Sequence, residues 1–123
     1  MPKDVVMADA LAEVVVKGMQ EKKAKNIVKI NLSEINEAAA DFFVICHGDS
    51  DTQVKAIADS VTEETRKALG QKPFHREGDE NRVWILLDYA DVVVHVFQRE
   101  IRDFYELEEL WHDGEFTHYV ENY

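Results

Sequence analysis

Two groups of carboxylates stand where a metal-dependent enzyme would need them. The first group, Gly48-Asp49-Ser50-Asp51, follows the apolar segment 42–46. In the second group, Asp88 follows the apolar segment 83–87 and Asp91 precedes the segment 92–97. Paired carboxylates hold the two metal ions of enzymes that transfer nucleotides. The Gly-Ser dipeptide and later Asp-x-Asp of such enzymes are missing, as is a Gly-rich phosphate-binding loop. We therefore predict that the chain is not an enzyme, and keep a degenerate or active metal-dependent nucleotidyltransferase as an alternative.

The cysteine and the histidines make no stronger catalytic or metal site. Cys46 and His47 are neighbours on a predicted strand, so their side chains point to opposite faces. A buried strand thiol is usually inert. His112 and His118 are six residues apart and have no Cys or third ligand nearby. We predict no catalytic residue, no metal site and no cofactor, and the single cysteine fits a reducing compartment.

Apolar periodicity predicts three helices that position these groups. Spacings of three and four predict the first helix over about residues 4–23, with Val5, Ala8, Leu11, Val15 and Met19 inward. Ser50 is a candidate N-cap with Gln53 completing a capping box, and Gly70 is a candidate stop, so a second helix lies between them. A last helix is predicted over about residues 100–111, with Ile101, Phe104, Leu107 and Trp111 inward. The spacing of Tyr105 and Leu110 also favours the core.

Five apolar segments predict strands, over residues 27–32, 42–46, 73–77, 83–87 and 92–97. The almost continuous apolar run at 42–46 is typical of a strand buried on both faces. Residues 78–81 and 88–91 are short enough to force antiparallel pairing of the strands they join. The fold class is therefore α/β, a mixed sheet of about five strands with helices packed on it. We assign residues 1–113 to one domain and 114–123 to a polar C-terminal tail, which we expect to fray or dock weakly.

The charge of the chain favours a basic protein as its partner. Twenty-five acidic residues face 14 basic ones, for a formal net charge of -11 over 123 residues. Such a chain is repelled by nucleic acid and by anionic membranes, and its field speeds association with a basic protein. The alternative is that the acids only maintain solubility. No apolar run is long enough to span a membrane and no signal peptide begins the chain, so we expect a cytoplasmic protein.

Three stretches together resemble the ribosomal silencing factor (Iojap-like) family. They are ADFFVICHGDS at residues 40–50, WILLDYADVVVHVF at 84–97 and YELEELW at 105–111. Their order and spacing also match, and the resemblance covers about residues 5–112. It implies a fold related to nucleotidyltransferases but without their catalysis.

The resemblance also implies a function and its partners. It implies binding to the large-subunit ribosomal protein uL-fourteen, on the face of the large subunit that meets the small subunit. Bound there, the protein would block subunit joining and repress translation. A role in late assembly of the large subunit and a tendency to form a homodimer are implied as well. One departure is Ala90, where the family usually has Gly, so we expect the turn geometry there to differ.

The predicted binding surface centres on the second of these stretches. Trp84, Leu86 and Asp88 share one strand face by the period of two, while the other face is aliphatic. We predict the partner-binding residues to be Trp84, Leu86, Asp88, Tyr89, Asp91 and His95. The alternatives are that Trp84 packs beneath a helix, that the two aspartates only build the turn, and that His95 is a satisfied core group. A generic dimeric adaptor module is the remaining alternative function.

Overall fold

The computed structural model describes residues 3–123 of the chain, which form four helices and six strands. In chain order they are α1 (Lys3–Glu21), β1 (Lys25–Asn31), β2 (Phe42–Gly48), α2 (Asp51–Leu69), β3 (His75–Glu77), β4 (Trp84–Asp88), β5 (Val92–Gln98), α3 (Arg99–Tyr105), α4 (Leu107–Leu110) and β6 (Glu115–His118). The five predicted strands are present, with bounds shifted by no more than two residues at either end. None of the helices in this part of the chain has the length and apolarity needed to cross a membrane.

The strands form a six-stranded mixed sheet in the order β3-β4-β5-β2-β1-β6. The central strands β2 and β5 are parallel, with Phe42 beside Val92 and Gly48 beside Gln98. Every other pair is antiparallel, including β3 with β4 and β4 with β5 as their short connections predicted. The mixed α/β fold class is therefore confirmed.

One face of the sheet, here called the helix-covered face, packs against α1 and α2. The predicted stripe of α1, from Val5 to Met19, lies in this core together with Val44, Ile85 and Val94 from the strands. The two helices approach closely at Gly18, where an added Cβ would lie 2.8 Å from the Cα of Val61. The backbone oxygen of Gly18 also accepts a hydrogen bond of 2.7 Å from Ser60 Oγ. Glycine is required at this crossing because any side chain would push the helices apart.

Both ends of α2 are as the sequence predicted. Ser50 is the N-cap and its Oγ accepts a hydrogen bond of 3.1 Å from the Gln53 backbone N–H. The Gln53 side chain reaches back through Oε1 to the Asp49 N–H, 2.8 Å away, which is one residue earlier than in the usual capping box. Gly70 ends the helix with a φ of 65°, in the left-handed region that glycine adopts freely.

The opposite face of the sheet, here called the open face, has a smaller and incomplete cover. Val28, Ile45 and Phe97 are buried there beneath α3, α4 and the segment 32–40. The last helix was predicted as one element, but it breaks at Glu106, whose φ of 47° and ψ of 49° are left-handed. The prediction of one unbroken helix placed Phe104 inward. This was wrong, because the side chain of Phe104 is 76% exposed. The cover therefore consists of the segment 32–40 and of two short helices set at a corner.

Arg102 holds this corner to the sheet. It is buried, and its Nε and Nη2 donate to the two carboxylate oxygens of Glu108, each at 3.0 Å. Its Nη1 donates to the backbone oxygen of Asn26 at 2.8 Å and to Nδ1 of His47 at 3.0 Å. Burial, and then the Arg102 charge, lower the pKa of His47, so this imidazole is neutral near pH 7. Two-point pairing of this kind fixes the geometry as well as the position of α4.

The last residues of the chain, which we expected to fray or to dock weakly, are held by the sheet. Strand β6 pairs with β1, placing Phe116 beside Ile30 and His118 beside Val28. Beyond it, the Tyr119 hydroxyl donates to Glu13 on α1, and the Tyr123 hydroxyl donates to the Ala24 backbone oxygen at 2.9 Å. The segment therefore adds an edge strand that the sequence pattern did not predict.

Candidate functional site

The open face carries a strip of partly exposed side chains along β4. Trp84, Leu86 and Asp88 point to this face, while Ile85 and Leu87 are buried beneath the helices on the other. The alternation has the period of two that the sequence predicted. The short helices α3 and α4 cover only part of the open face, so this strip remains accessible to a partner. We call Trp84, Leu86 and Asp88 the β4 strip.

A hydrogen bond fixes the indole ring of Trp84. Its Nε1 donates to Nδ1 of His95 on the neighbouring strand, with 3.1 Å between the nitrogens. The ring also packs on Phe97, with 4.8 Å between centroids. The Trp84 side chain is thus held in one orientation before any partner arrives, which lowers the entropy lost on binding. Trp84 is partly buried against the open-face core and contacts Tyr105 at the end of α3, with 5.0 Å between ring centroids, so it packs against this helix and also remains partly exposed.

His95 lies directly beneath this surface and does not reach solvent. It is 4% exposed, and because its Nδ1 accepts from Trp84, the proton of the neutral ring lies on Nε2. Within residues 3–123, no acceptor is in hydrogen-bonding reach of that Nε2. Burial lowers the pKa of His95 to about 4. The prediction that His95 contacts a partner directly is therefore replaced by a supporting position under Trp84.

Six rings, with the buried His95 among them, form a chain of contacts across the open face. Successive ring centroids are 4.8 to 5.9 Å apart in the order Phe104, Tyr105, Trp84, His95, Phe43 and Trp111. Such separations are typical of favourable edge and offset contacts between aromatic rings. We call this set the aromatic row. It joins the β4 strip to α3 and to Trp111, the residue that ends α4.

Tyr89 does not lie on this surface. It is 4% exposed and belongs to the core on the helix-covered face. Its hydroxyl is 2.8 Å from the Thr65 Oγ1 on α2. The period of two continues from Ile85 and Leu87 to residue 89, and it places Tyr89 on the helix-covered face, opposite Asp88. Tyr89 is therefore a core residue with a satisfied hydroxyl, and not part of the accessible surface.

The turn after β4 is tighter than a common two-residue hairpin. Ala90 has a φ of 72°, and the Asp91 N–H donates to the Tyr89 oxygen at 3.0 Å, the pattern of a γ-turn. The Asp88 Oδ1 accepts from the Ala90 N–H at 2.8 Å. Asp88 therefore helps to build the turn, which was the alternative to a role in partner binding. Its second carboxylate oxygen remains available to accept a hydrogen bond from a partner. Alanine occupies the left-handed region here in spite of its Cβ, at an energetic cost.

The end of the hairpin concentrates negative charge. Asp91 is exposed, and its backbone oxygen accepts from the N–H groups of Asp41 and Phe42 at 2.9 and 3.1 Å. Burial raises the pKa of Asp41, and the charges of Asp91 and Asp4 raise it further. Like charges held this close repel one another, and a Lys or Arg from a partner would relieve that repulsion.

The carboxylates that suggested a two-metal site are far apart. Gly48 pairs with Gln98 at one end of β5, whereas Asp88 pairs with Val93 at the other. Five residues of strand separate these positions, about 17 Å at ~3.3 Å per residue. Two-metal sites need ions about 4 Å apart. The Gly48 to Asp51 loop and Asp88 therefore cannot form one such site.

Cys46 and His47 lie on opposite faces of β2 as predicted. Cys46 is fully buried in the core beneath α1 and α2, and burial raises its pKa to about 12, which leaves the thiol protonated. His47 contacts Arg102 on the open face. In residues 3–123, no three His, Cys, Asp or Glu side chains converge in the way that metal ligands would.

Sequence reasoning missed several residues of the open face. Phe43 was taken as buried on both sides, and Tyr105 and Leu110 as core by their helical spacing, yet all three are at least partly exposed. The missing information was the break at Glu106, which has no Gly or Pro to signal it. One signal was available in the sequence. It has more large apolar residues in this region than two short helices can bury against the sheet.

Comparison with known proteins identifies the family. The family described as "Ribosomal silencing factor during starvation" matches residues 6–122. Ribosomal silencing factors of Halalkalibacterium halodurans and Bacillus subtilis are 42% and 40% identical to the chain, over 85% and 76% of it and 87% and 78% of their own lengths. The crystal structure of a Chromobacterium violaceum protein superposes with a TM-score of 0.79 at 33% identity, covering 84% of each chain. The chain belongs to the ribosomal silencing factor family.

Proposed function

We propose that the protein binds uL-fourteen on the large ribosomal subunit through the β4 strip and the acidic end of the β4–β5 hairpin. Bound there, it blocks the small subunit by occupying the joining surface, and so represses translation. The single observation that carries this proposal is the accessible Trp84, held by His95 on a sheet face that helices cover only in part. Membership of the silencing factor family supplies the ribosome as the target.

The chemistry of the surface fits a basic ribosomal protein. Trp84 and Leu86 provide an apolar centre, and a fixed tryptophan is among the side chains that most often dominate binding energies. Asp88 and Asp91 provide carboxylates at its border, where Arg and Lys are the natural partners. The net charge of -11 speeds the encounter with such a partner and disfavours direct contact with ribosomal RNA. No catalytic step is needed, because obstruction requires only stable occupancy.

The first test measures co-sedimentation with purified large subunits. We expect wild-type protein to co-migrate at low salt, and Trp84→Ala to bind about thirtyfold more weakly, the loss of a side chain worth ~2 kcal/mol. Thermal unfolding of each variant, measured in parallel, shows whether it is folded at the temperature of the binding assay. Absence of wild-type co-migration at low salt would refute the proposal.

Asp88→Asn separates the charge of Asp88 from its role in the turn. The amide oxygen of Asn can still accept from the Ala90 N–H, so we expect the fold and its stability to be kept. Binding to large subunits should weaken, and its salt dependence should decrease. Glu21→Gln is the matched control, since it removes one exposed carboxylate at the end of α1. Equal weakening by both substitutions would show that only overall charge matters, and not this surface.

Subunit joining is tested separately from binding. Large subunits saturated with the protein are mixed with small subunits, and light scattering reports the formation of whole ribosomes. We expect joining to be suppressed by wild-type protein and restored by Trp84→Ala. Normal joining with wild-type protein bound would refute the obstruction mechanism while leaving the binding site intact. The proposed role in large-subunit assembly and the proposed homodimer are tested by subunit profiles of depleted cells and by sedimentation equilibrium.

A further inference from the structure

The corner formed by α3 and α4 presents an unusual amount of apolar surface. Phe104, Leu110 and Tyr105 are 76%, 72% and 54% exposed. Tyr105 contacts Trp84, with 5.0 Å between ring centroids, so this surface is continuous with the β4 strip. Clustered large apolar side chains on a protein surface mark interaction sites more often than isolated ones do. The two short helices therefore present contact residues in addition to covering the sheet.

The corner is a rigid support and not a frayed chain end. Arg102 is buried and pairs with both carboxylate oxygens of Glu108, which ties α3 to α4 across the break. The same guanidinium is bonded to the Asn26 backbone oxygen on β1. The left-handed conformation of Glu106 has an energetic cost that these bonds offset. The exposed rings are thus presented in a fixed geometry, as an interaction surface requires.

The charge around the corner selects the kind of partner. Residues 99–115 contain seven acidic side chains and two arginines. One of those acids, Glu108, is paired with Arg102, while Asp103, Glu106 and Glu109 are exposed and adjoin Phe104, Tyr105 and Leu110 in the sequence. A second copy of this chain would bring the same negative charges into contact, and nucleic acid and anionic membranes would be repelled as well. A positively charged polypeptide is the complement that remains.

We propose that the α3–α4 corner docks a protein segment rich in lysine or arginine with apolar side chains interspersed. The apolar side chains of the segment contact Phe104, Tyr105 and Leu110, and its cations meet the surrounding carboxylates. This inference rests on the proposed function, because the segment belongs to the same ribosomal target and extends the contact made by the β4 strip. It assigns a role to residues whose helical spacing had placed them in the core.

The test compares two double variants in the large-subunit binding assay. Phe104→Ser with Leu110→Ser removes two exposed apolar side chains from the corner and leaves Tyr105 packed on Trp84. Val6→Ser with Met7→Ser is the matched control, because it removes two exposed apolar side chains from α1 on the far side of the sheet. We expect the corner variant to bind at least about tenfold more weakly and the control variant to bind like wild type.

Further outcomes distinguish this inference from the proposed function and from self-association. Equal binding by the corner variant and wild type would overturn the inference while the proposed function stands. No binding by wild type would refute the proposed function, and this inference with it. A shift of a wild-type dimer to monomer in the corner variant, seen by sedimentation velocity without loss of subunit binding, would reassign the corner to a dimer interface. Asp103→Asn with Glu109→Gln should reduce the salt dependence of binding, and an unchanged dependence would contradict the charge part of the inference.

Discussion

Acidification provides a direct test of the buried histidine beneath Trp84. The pKa of His95 is lowered from 6.5 to about 4 by burial. The unfolded chain therefore binds more protons than the folded one between these two pH values. The stabilising contribution of the neutral ring is complete above pH 6.5 and is lost progressively as the pH falls toward 4. With ~1.4 kcal/mol for each pH unit between the two pKa values, the full loss is about 3 kcal/mol.

The loss is measured by urea unfolding followed through tryptophan fluorescence. Between pH 7.5 and 5.0 we expect His95 to account for about 2 kcal/mol of the decrease in the free energy of unfolding. The pKa of His47 is lowered as well, and its protonation destabilises the fold in the same direction. His95→Gln isolates the first contribution, because glutamine does not titrate and its amide oxygen can accept from the Trp84 N–H.

The decisive quantity is the difference between the two pH dependences. We expect the wild type to lose about 2 kcal/mol more than His95→Gln over that pH interval. If both proteins lose the same amount, His95 is not held neutral by burial and the reasoning fails. The histidine resonances in an NMR titration report the same property directly, and a His95 pKa near 6.5 would contradict it equally.

Three further predictions concern stability. Ala90→Gly should raise the free energy of unfolding, measured by urea denaturation, by about 0.5–1 kcal/mol, because glycine adopts the positive φ without strain. A lower free energy of unfolding would show that the turn favours alanine. Tyr89→Phe should lower the free energy of unfolding by about 1 kcal/mol, because the hydrogen bond to Thr65 is lost, and should leave subunit binding unchanged. Weaker binding by the folded variant would place Tyr89 at the interface. Arg102→Met should lower the free energy of unfolding, measured by thermal denaturation, by about 2–4 kcal/mol. Adding Glu108→Leu should restore part of this free energy, because the double variant leaves no unpaired carboxylate.

The features of the fold that the sequence predicted are those determined locally. The α1 stripe, the Ser50 cap and the Gly70 stop depend on neighbours within one or two helical turns. The alternation of β4 placed Trp84, Leu86 and Asp88 on one face because a strand has only two faces to choose between. The short connections fixed the antiparallel pairs for a similarly local reason.

The features that it did not predict depend on distant partners. Strand β6 is short, and it is a strand only because the edge of β1 is available to it. The break at Glu106 follows from the pairing of Arg102 with Glu108 and with the Asn26 carbonyl, and nothing near residue 106 announces it. Each case is tertiary structure overriding a local preference.

The pairing of β6 with β1 also bears on how the chain folds as it is made. The central strand β2 can pair with β5 only after β5 has been synthesised. The outer edge of β1 can pair only with β6, which is the last strand in chain order. Pairings between segments so distant in sequence slow folding, since a long loop must close before they form. Until β6 arrives, β1 presents an unpaired row of backbone donors and acceptors, which is a template for aggregation. A growing chain is therefore most vulnerable late in synthesis, and the final strand protects its sheet.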